Sequence, residues 1–87
     1  MGENKTTNLE DTSLIAFMML KGHEVKEWRD TKNPDRISFD ILGDPASVAE
    51  DMRKYYANEQ VGILDYVKCY KAVKSRMYSF KSLNNKQ

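Results

Sequence analysis

The chain has 87 residues, 40% of them hydrophobic and 31% charged, which makes one soluble-type domain with a single small core and roughly 60–65% of its unfolded surface buried. Its longest apolar run, Leu14 to Leu20, falls far short of the roughly 20 residues of a membrane span. The formal charge of +1 hides an asymmetry: residues 66–87 carry six basic side chains and no acid, while all 13 acids lie in residues 1–65.

Residues 1–11 are polar and without periodicity, and they read as a mobile lead-in. No apolar stretch follows the first lysine, so a secretory signal is not expected there. Asp11, Thr12 and Ser13 then offer caps for a helix over about 12–21. Its residues Leu14 to Leu20 are apolar almost all round, the pattern of a central, buried helix. Lys21-Gly22 reads as its end, with the glycine left-handed.

Residues 23–29 and 36–42 read as two strands. In the second, Ile37, Phe39 and Ile41 alternate with Ser38 and Asp40, so one face is buried. Between them Asp30 to Asp35 is turn chemistry, and a β-hairpin follows. Val25 and Trp28 have opposite parity and face the same way only across a bulge. Gly43-Asp44-Pro45 starts a helix over about 45–58, with Val48, Met52, Tyr55 and Tyr56 on one face. One of the two tyrosines is expected in the core and the other at its rim. After Asn58-Glu59-Gln60 and Gly62, a last helix over about 63–81 places Ile63, Val67, Tyr70, Val73, Met77 and Phe80 on one stripe. Residues 82–87 read as a frayed tail. The expected architecture is a two-layer α+β domain in the order α-β-β-α-α, with a two-stranded antiparallel hairpin packed on three helices.

Little in the chain carries catalytic chemistry. One His and one Cys cannot fill the usual zinc ligand set. His23 after a helix end reads as an exposed or capping side chain. Cys69, at helical spacing between Tyr66 and Val73, reads as a filler, and a lone cysteine without an internal disulfide suits an intracellular, cytoplasmic protein. Glu50 and Asp51 are adjacent on a helix and diverge, and the four glycines are too scattered for a phosphate loop. No enzyme activity, metal, cofactor or small-molecule substrate is expected.

The final helix is more informative. Lys68, Lys71, Lys74, Arg76, Tyr78 and Lys81 form a basic, partly aromatic surface that could track phosphates and stack on a base. The plainer reading is that late cations complement the helix dipole and keep the surface solvated, or pair with Glu50, Asp51 or Glu59. Trp28, with Arg29, Arg36 and Tyr56, is a second candidate surface, suited to a protein partner or a homodimer formed at the hairpin edge. The preferred placement of Trp28 nonetheless wraps it over the core, aided by a bulge.

Several motifs resemble a catalogued family of small proteins of unknown function found in bacteria, archaea and tailed phages. These are the apolar opening helix closed by Lys21-Gly22-His23, the strand Arg36-Ile37-Ser38-Phe39-Asp40-Ile41 and the helix led by Asp44-Pro45 with its Tyr55-Tyr56 pair. The closing segment Lys74-Ser75-Arg76-Met77-Tyr78 completes the set. The resemblance covers about residues 12–80, with Ile41 departing from the family's second aromatic. It implies the same helix–hairpin–helix–helix fold and a phage or mobile-element origin, hence a host cytoplasm, and it brings no activity and no catalytic residue. Taken together, the chain reads as a small non-enzymatic accessory protein binding nucleic acid, or a protein that handles it, through the basic final helix. The alternative is a protein-interaction module or homodimer.

Overall fold

The computed structural model describes residues 6–29 and 36–85. Six elements follow in order: β1 (Thr7–Leu9), α1 (Thr12–Leu20), β2 (Val25–Arg29), β3 (Ile37–Ile41), α2 (Pro45–Tyr56) and α3 (Ile63–Asn85). The α+β class is as expected, but the hairpin is part of a three-stranded antiparallel sheet in the order β1-β3-β2. The segment expected to be a mobile lead-in supplies the third strand, with Thr7 opposite Ile41, Asn8 opposite Asp40 and Leu9 opposite Phe39. Its physical basis is plain. A two-stranded hairpin is marginal alone and leaves the far edge of β3 unpaired, and even three residues supply a partner for that edge.

Helix α1 begins where Asp11 accepts from the Ser13 amide at 3.0 Å, and it ends as expected. The Gly22 amide donates to the Met19 carbonyl at 3.0 Å and the His23 amide to that of Met18 at 3.1 Å. This closure needs Gly22 in the left-handed region, at φ +94°. Leu14 through Met18 are all buried, because α1 is enclosed by the sheet and the other two helices. Asp44 caps α2 by accepting from Ser47, Pro45 takes its first position, and Asn58, with φ at 64°, follows its end.

Strands β2 and β3 pair without interruption from Val25 opposite Ile41 to Arg29 opposite Ile37. No bulge intervenes, so Trp28 does not wrap over the core. Val25 is buried and Trp28 is 45% exposed on the other face. The expected turn at residues 30–35 lies outside the described residues. Inward-facing Ile37, Phe39 and Ile41 meet α1 and Val48 of α2 and Val73 of α3 in one core.

Helix α3 is longer than expected, continuing through the supposed tail to Asn85, while residues 86–87 lie outside the described residues. Its buried stripe is also rotated. Tyr66, Cys69, Tyr70, Val73, Met77 and Phe80 meet the core, whereas Ile63 is 74% exposed and Val67 37%. The helix packs on the body through that stripe, with Val73 fully buried at its middle. Its Tyr66 hydroxyl donates to the Ser13 carbonyl, in the first turn of α1, at 2.9 Å. Ile63 lies one turn upstream of that contact.

Candidate functional site

At about 100° per residue, the face of α3 turned away from its buried stripe carries Leu64, Val67, Lys68, Lys71, Ser75 and Tyr78. Lys68, Lys71 and Tyr78 are exposed, and Lys74 and Lys81 flank them at the half-buried margin. The Lys74 ammonium lies 5.8 Å from the Tyr70 ring centre and 5.9 Å from that of Tyr78, a cation–π position between two aromatics. Of the six candidate residues, the structure thus brings Lys68, Lys71, Lys74, Tyr78 and Lys81 to one side of one helix.

The sixth, Arg76, belongs to a different arrangement. Its Nε donates to Glu27 Oε2 at 2.9 Å, and its Nη2 donates to Glu27 Oε1 and to the Val25 carbonyl, each at 3.0 Å. Those hydrogen bonds hold the Glu27 carboxyl below its ordinary value, against the opposing effect of burial. Arg76 therefore ties α3 to β2 through its Nε and Nη2, and only Nη1 is left for an external phosphate. Its bond to Val25 also takes a carbonyl on the edge of β2 not paired with β3, since Leu42 pairs with Glu24 and the ladder alternates from there.

The acids that sequence made available to the lysines are taken by other cations. Glu50 is held by Arg53 at 2.5 Å, Asp51 by His23 at 2.7 Å with Lys54 at 3.8 Å, and Glu59 by Lys21. Among the described residues no carboxylate lies in ion-pair range of Lys68, Lys71, Lys74 or Lys81. The expectation of an exposed or capping His23 is corrected by the same geometry. Its ring is largely covered and bound to Asp51, joining the α1–β2 connection to α2.

The second candidate surface is divided. Trp28 stands opposite Ser38 on the sheet face away from the helices, and its neighbours there are polar: Lys26, Asp40, and Asn8, which donates to Asp40 at 2.8 Å. Arg36 donates to both Glu10 carboxylate oxygens, at 2.8 and 2.9 Å. The Arg29 side chain lies outside the described residues. Tyr56, at the end of α2, is 69% exposed and packs edge-on against half-buried Tyr55, matching the expected division of that pair into rim and core.

Sequence reasoning missed two features. One is a cleft of about 180 Å³ lined by Phe17, Tyr55, Asn58, Glu59, Val61 and Tyr66. Burial, with a contribution from Asp11, raises the Tyr55 phenol above its ordinary range. The other is an apolar patch at the start of α3, where Leu64 is 76% exposed beside Ile63 and Val67. The Ile63-Leu64 pair was its only sequence signal, since Leu64 falls about 100° from Ile63 and outside the stripe expected for α3. Compared with known proteins, the chain matches no family model, no curated protein and no solved structure.

Proposed function

We propose that this is a small, non-enzymatic accessory protein that binds nucleic acid through the outward face of α3. The observation that carries the reading is the exposed ridge of Lys68 and Lys71, continued by Lys74 and Lys81, while Glu50, Asp51 and Glu59 are engaged by Arg53, His23 and Lys21. Lysines three residues apart on a helix can follow a phosphate backbone, and Tyr78, 57% exposed, is placed to stack. A non-catalytic role is supported by the use made of the two residues best suited to chemistry. His23 holds α2 in place, and Cys69 is half-buried on the core side of α3. The family resemblance adds a phage origin and a host cytoplasm to the proposal.

Four lysine–phosphate contacts give a salt dependence of about −3.6 in log–log form on duplex DNA, or roughly a hundredfold weaker binding between about 50 and about 200 mM salt. The test is a filter-binding titration with single- and double-stranded DNA at those two concentrations. Lys68→Glu and Lys71→Glu are expected to weaken binding strongly. Affinity that ignores salt and both substitutions would remove the reading.

A second reading, a protein-interaction module, is favoured by Trp28 on the uncovered sheet face. It predicts a salt-insensitive complex that Trp28→Ala abolishes.

A further inference from the structure

The cleft of about 180 Å³ is walled by the rings of Phe17, Tyr55 and Tyr66, and Asn58, Glu59 and Val61 complete it. None of these residues belongs to the Lys68 and Lys71 surface of α3, and a ligand in the cleft needs nothing from that surface. The walls are held in place. Phe17, 3% exposed, meets Tyr55 edge-on with ring centres 5.5 Å apart, and the Tyr66 hydroxyl donates to the Ser13 carbonyl at 2.9 Å. Asn58, at φ 64°, lets the chain turn back at the end of α2. Its amide donates to the Tyr55 carbonyl at 3.0 Å, and the Glu59 amide donates to that of Lys54 at 3.1 Å. A site fixed in this way loses little freedom when a ligand enters.

The fold already seats one cation against two of these walls. Lys21, just past the end of α1, holds its ammonium 5.4 Å from the Phe17 ring centre and pairs with Glu59 Oε2. Lys21 does not line the cleft, and among the described residues nothing is bonded to Glu59 Oε1. We infer that the cleft binds a small free organic ammonium ion, N-methylated or quaternary, with Phe17, Tyr55 and Tyr66 around its methyl groups and Glu59 as counter-charge. Ring faces attract a cation through their quadrupole, and ring carbons and Val61 match methyl groups by dispersion. An unmethylated ammonium must replace its lost hydration with hydrogen bonds, and Lys21 already claims the carboxylate. A methylated one has few or no N–H groups to satisfy and is drawn to Glu59 by charge alone.

Size narrows the ligand. A cavity of about 150 Å³ holds benzene, and pockets for drug-sized molecules start near about 300 Å³. At about 180 Å³ the cleft takes roughly six to eight non-hydrogen atoms, enough for one head group such as that of choline. Lys21 competes for Glu59 from outside the cleft, so the two members of this ion pair have opposite effects on a bound cation. Loss of the carboxylate weakens binding, and loss of the lysine strengthens it. The linear chain gives no sign of the site, because its walls come from α1, the end of α2, the connection that follows and the start of α3.

A titration of the full chain with choline chloride against matched sodium chloride, followed by amide NMR shifts, tests it. Shifts are expected at Tyr55, Asn58, Glu59, Val61 and Tyr66, with a Kd of about 0.1–5 mM, ordinary for about seven non-hydrogen atoms. The neutral isostere of choline, with a tert-butyl group in place of trimethylammonium, should bind at least about fivefold more weakly. Glu59→Gln should weaken choline binding about threefold, and Lys21→Met should strengthen it about as much. Both variants break one ion pair, so a purely structural role for that pair would move affinity the same way in each. Absence of saturable shifts overturns the inference, as does equal binding of the neutral isostere, or variants that fail to move affinity in opposite directions. A trimethyllysine peptide that binds more than about tenfold tighter than choline would assign the cleft to a protein ligand and overturn the free ion.

Discussion

Arg76 grips the Glu27 carboxylate with two nitrogens, at 2.9 and 3.0 Å, and reaches past it to the Val25 carbonyl at 3.0 Å. One side chain thereby fastens the longest helix to the edge strand and occupies an acceptor that another chain could use for strand addition. A bidentate pair of this kind, partly covered, contributes more than an exposed one. Glu27→Gln should destabilise the fold by about 1–2 kcal/mol, whereas Glu10→Gln, whose pair with Arg36 is about half exposed on both sides, should cost under about 0.5 kcal/mol. The effect has a pH window. The carboxyl is depressed below its ordinary 4.5, so its contribution is present above that value and is lost as pH falls through the depressed one. Urea midpoints of the wild-type chain and Glu27→Gln should differ at pH 7, and the difference should shrink as the pH is lowered below 4.5 through the depressed value.

His23 and Asp51, 2.7 Å apart, connect the turn after α1 to the middle of α2. Removing the ring leaves a largely covered carboxylate with only Lys54, at 3.8 Å, for a partner. His23→Ala is therefore expected to cost about 1–2 kcal/mol. Amide exchange should accelerate first in α2, with the β2–β3 ladder protected for longer.

Gly43 and Gly22 are both left-handed, with φ of +122° and +94°. Neither is short of room: an added Cβ at Gly43 would meet the His23 ring at 3.7 Å, an ordinary contact, and at Gly22 it would meet nothing within 4 Å. Any loss on substitution is thus backbone strain. Both Gly→Ala variants should lower stability by about 1–2 kcal/mol in thermal unfolding, and Gly43→Ala should cost more because its dihedral is further from the αL region that L-residues tolerate.

Neutralising single lysines separates the α3 face from the sheet face. If α3 contacts phosphates, Lys68→Ala and Lys71→Ala should each reduce the salt slope of DNA binding by about 1. Lys26→Ala, on the sheet face with Trp28, should leave it unchanged. Equal effects at all three positions would mean that binding reflects net charge and no particular surface.

Local chemistry made most of the elements legible. Asp11 and Asp44 as caps, Pro45 at a helix start, Gly22 at a helix end and the alternation of Ile37, Phe39 and Ile41 each act within a few residues of themselves. They predict structure because their effect requires nothing distant. β1 escaped detection because three residues are too few for a period, and Thr7-Asn8-Leu9 becomes a strand only when β3 offers an open edge. The stripe of α3 was read with Ile63 and Val67 in it because a wheel gives relative positions and no absolute phase, which the burial of Val73 and the packing of Tyr66, Tyr70 and Met77 on the core define.

By itself the sequence determined the α+β class, the helix boundaries at capped ends, the half-buried central strand and the charge asymmetry that made the last helix a candidate. Tertiary structure alone decided which cations are spent within the fold. Arg76 and Lys68 look alike in the chain, yet Glu27 and Glu59 lie where the packing of α3 and α2 brings them, beside Arg76 and Lys21 and away from Lys68. Ion pairing between distant residues is settled by where helices come to rest, and a linear pattern of charges carries no record of that.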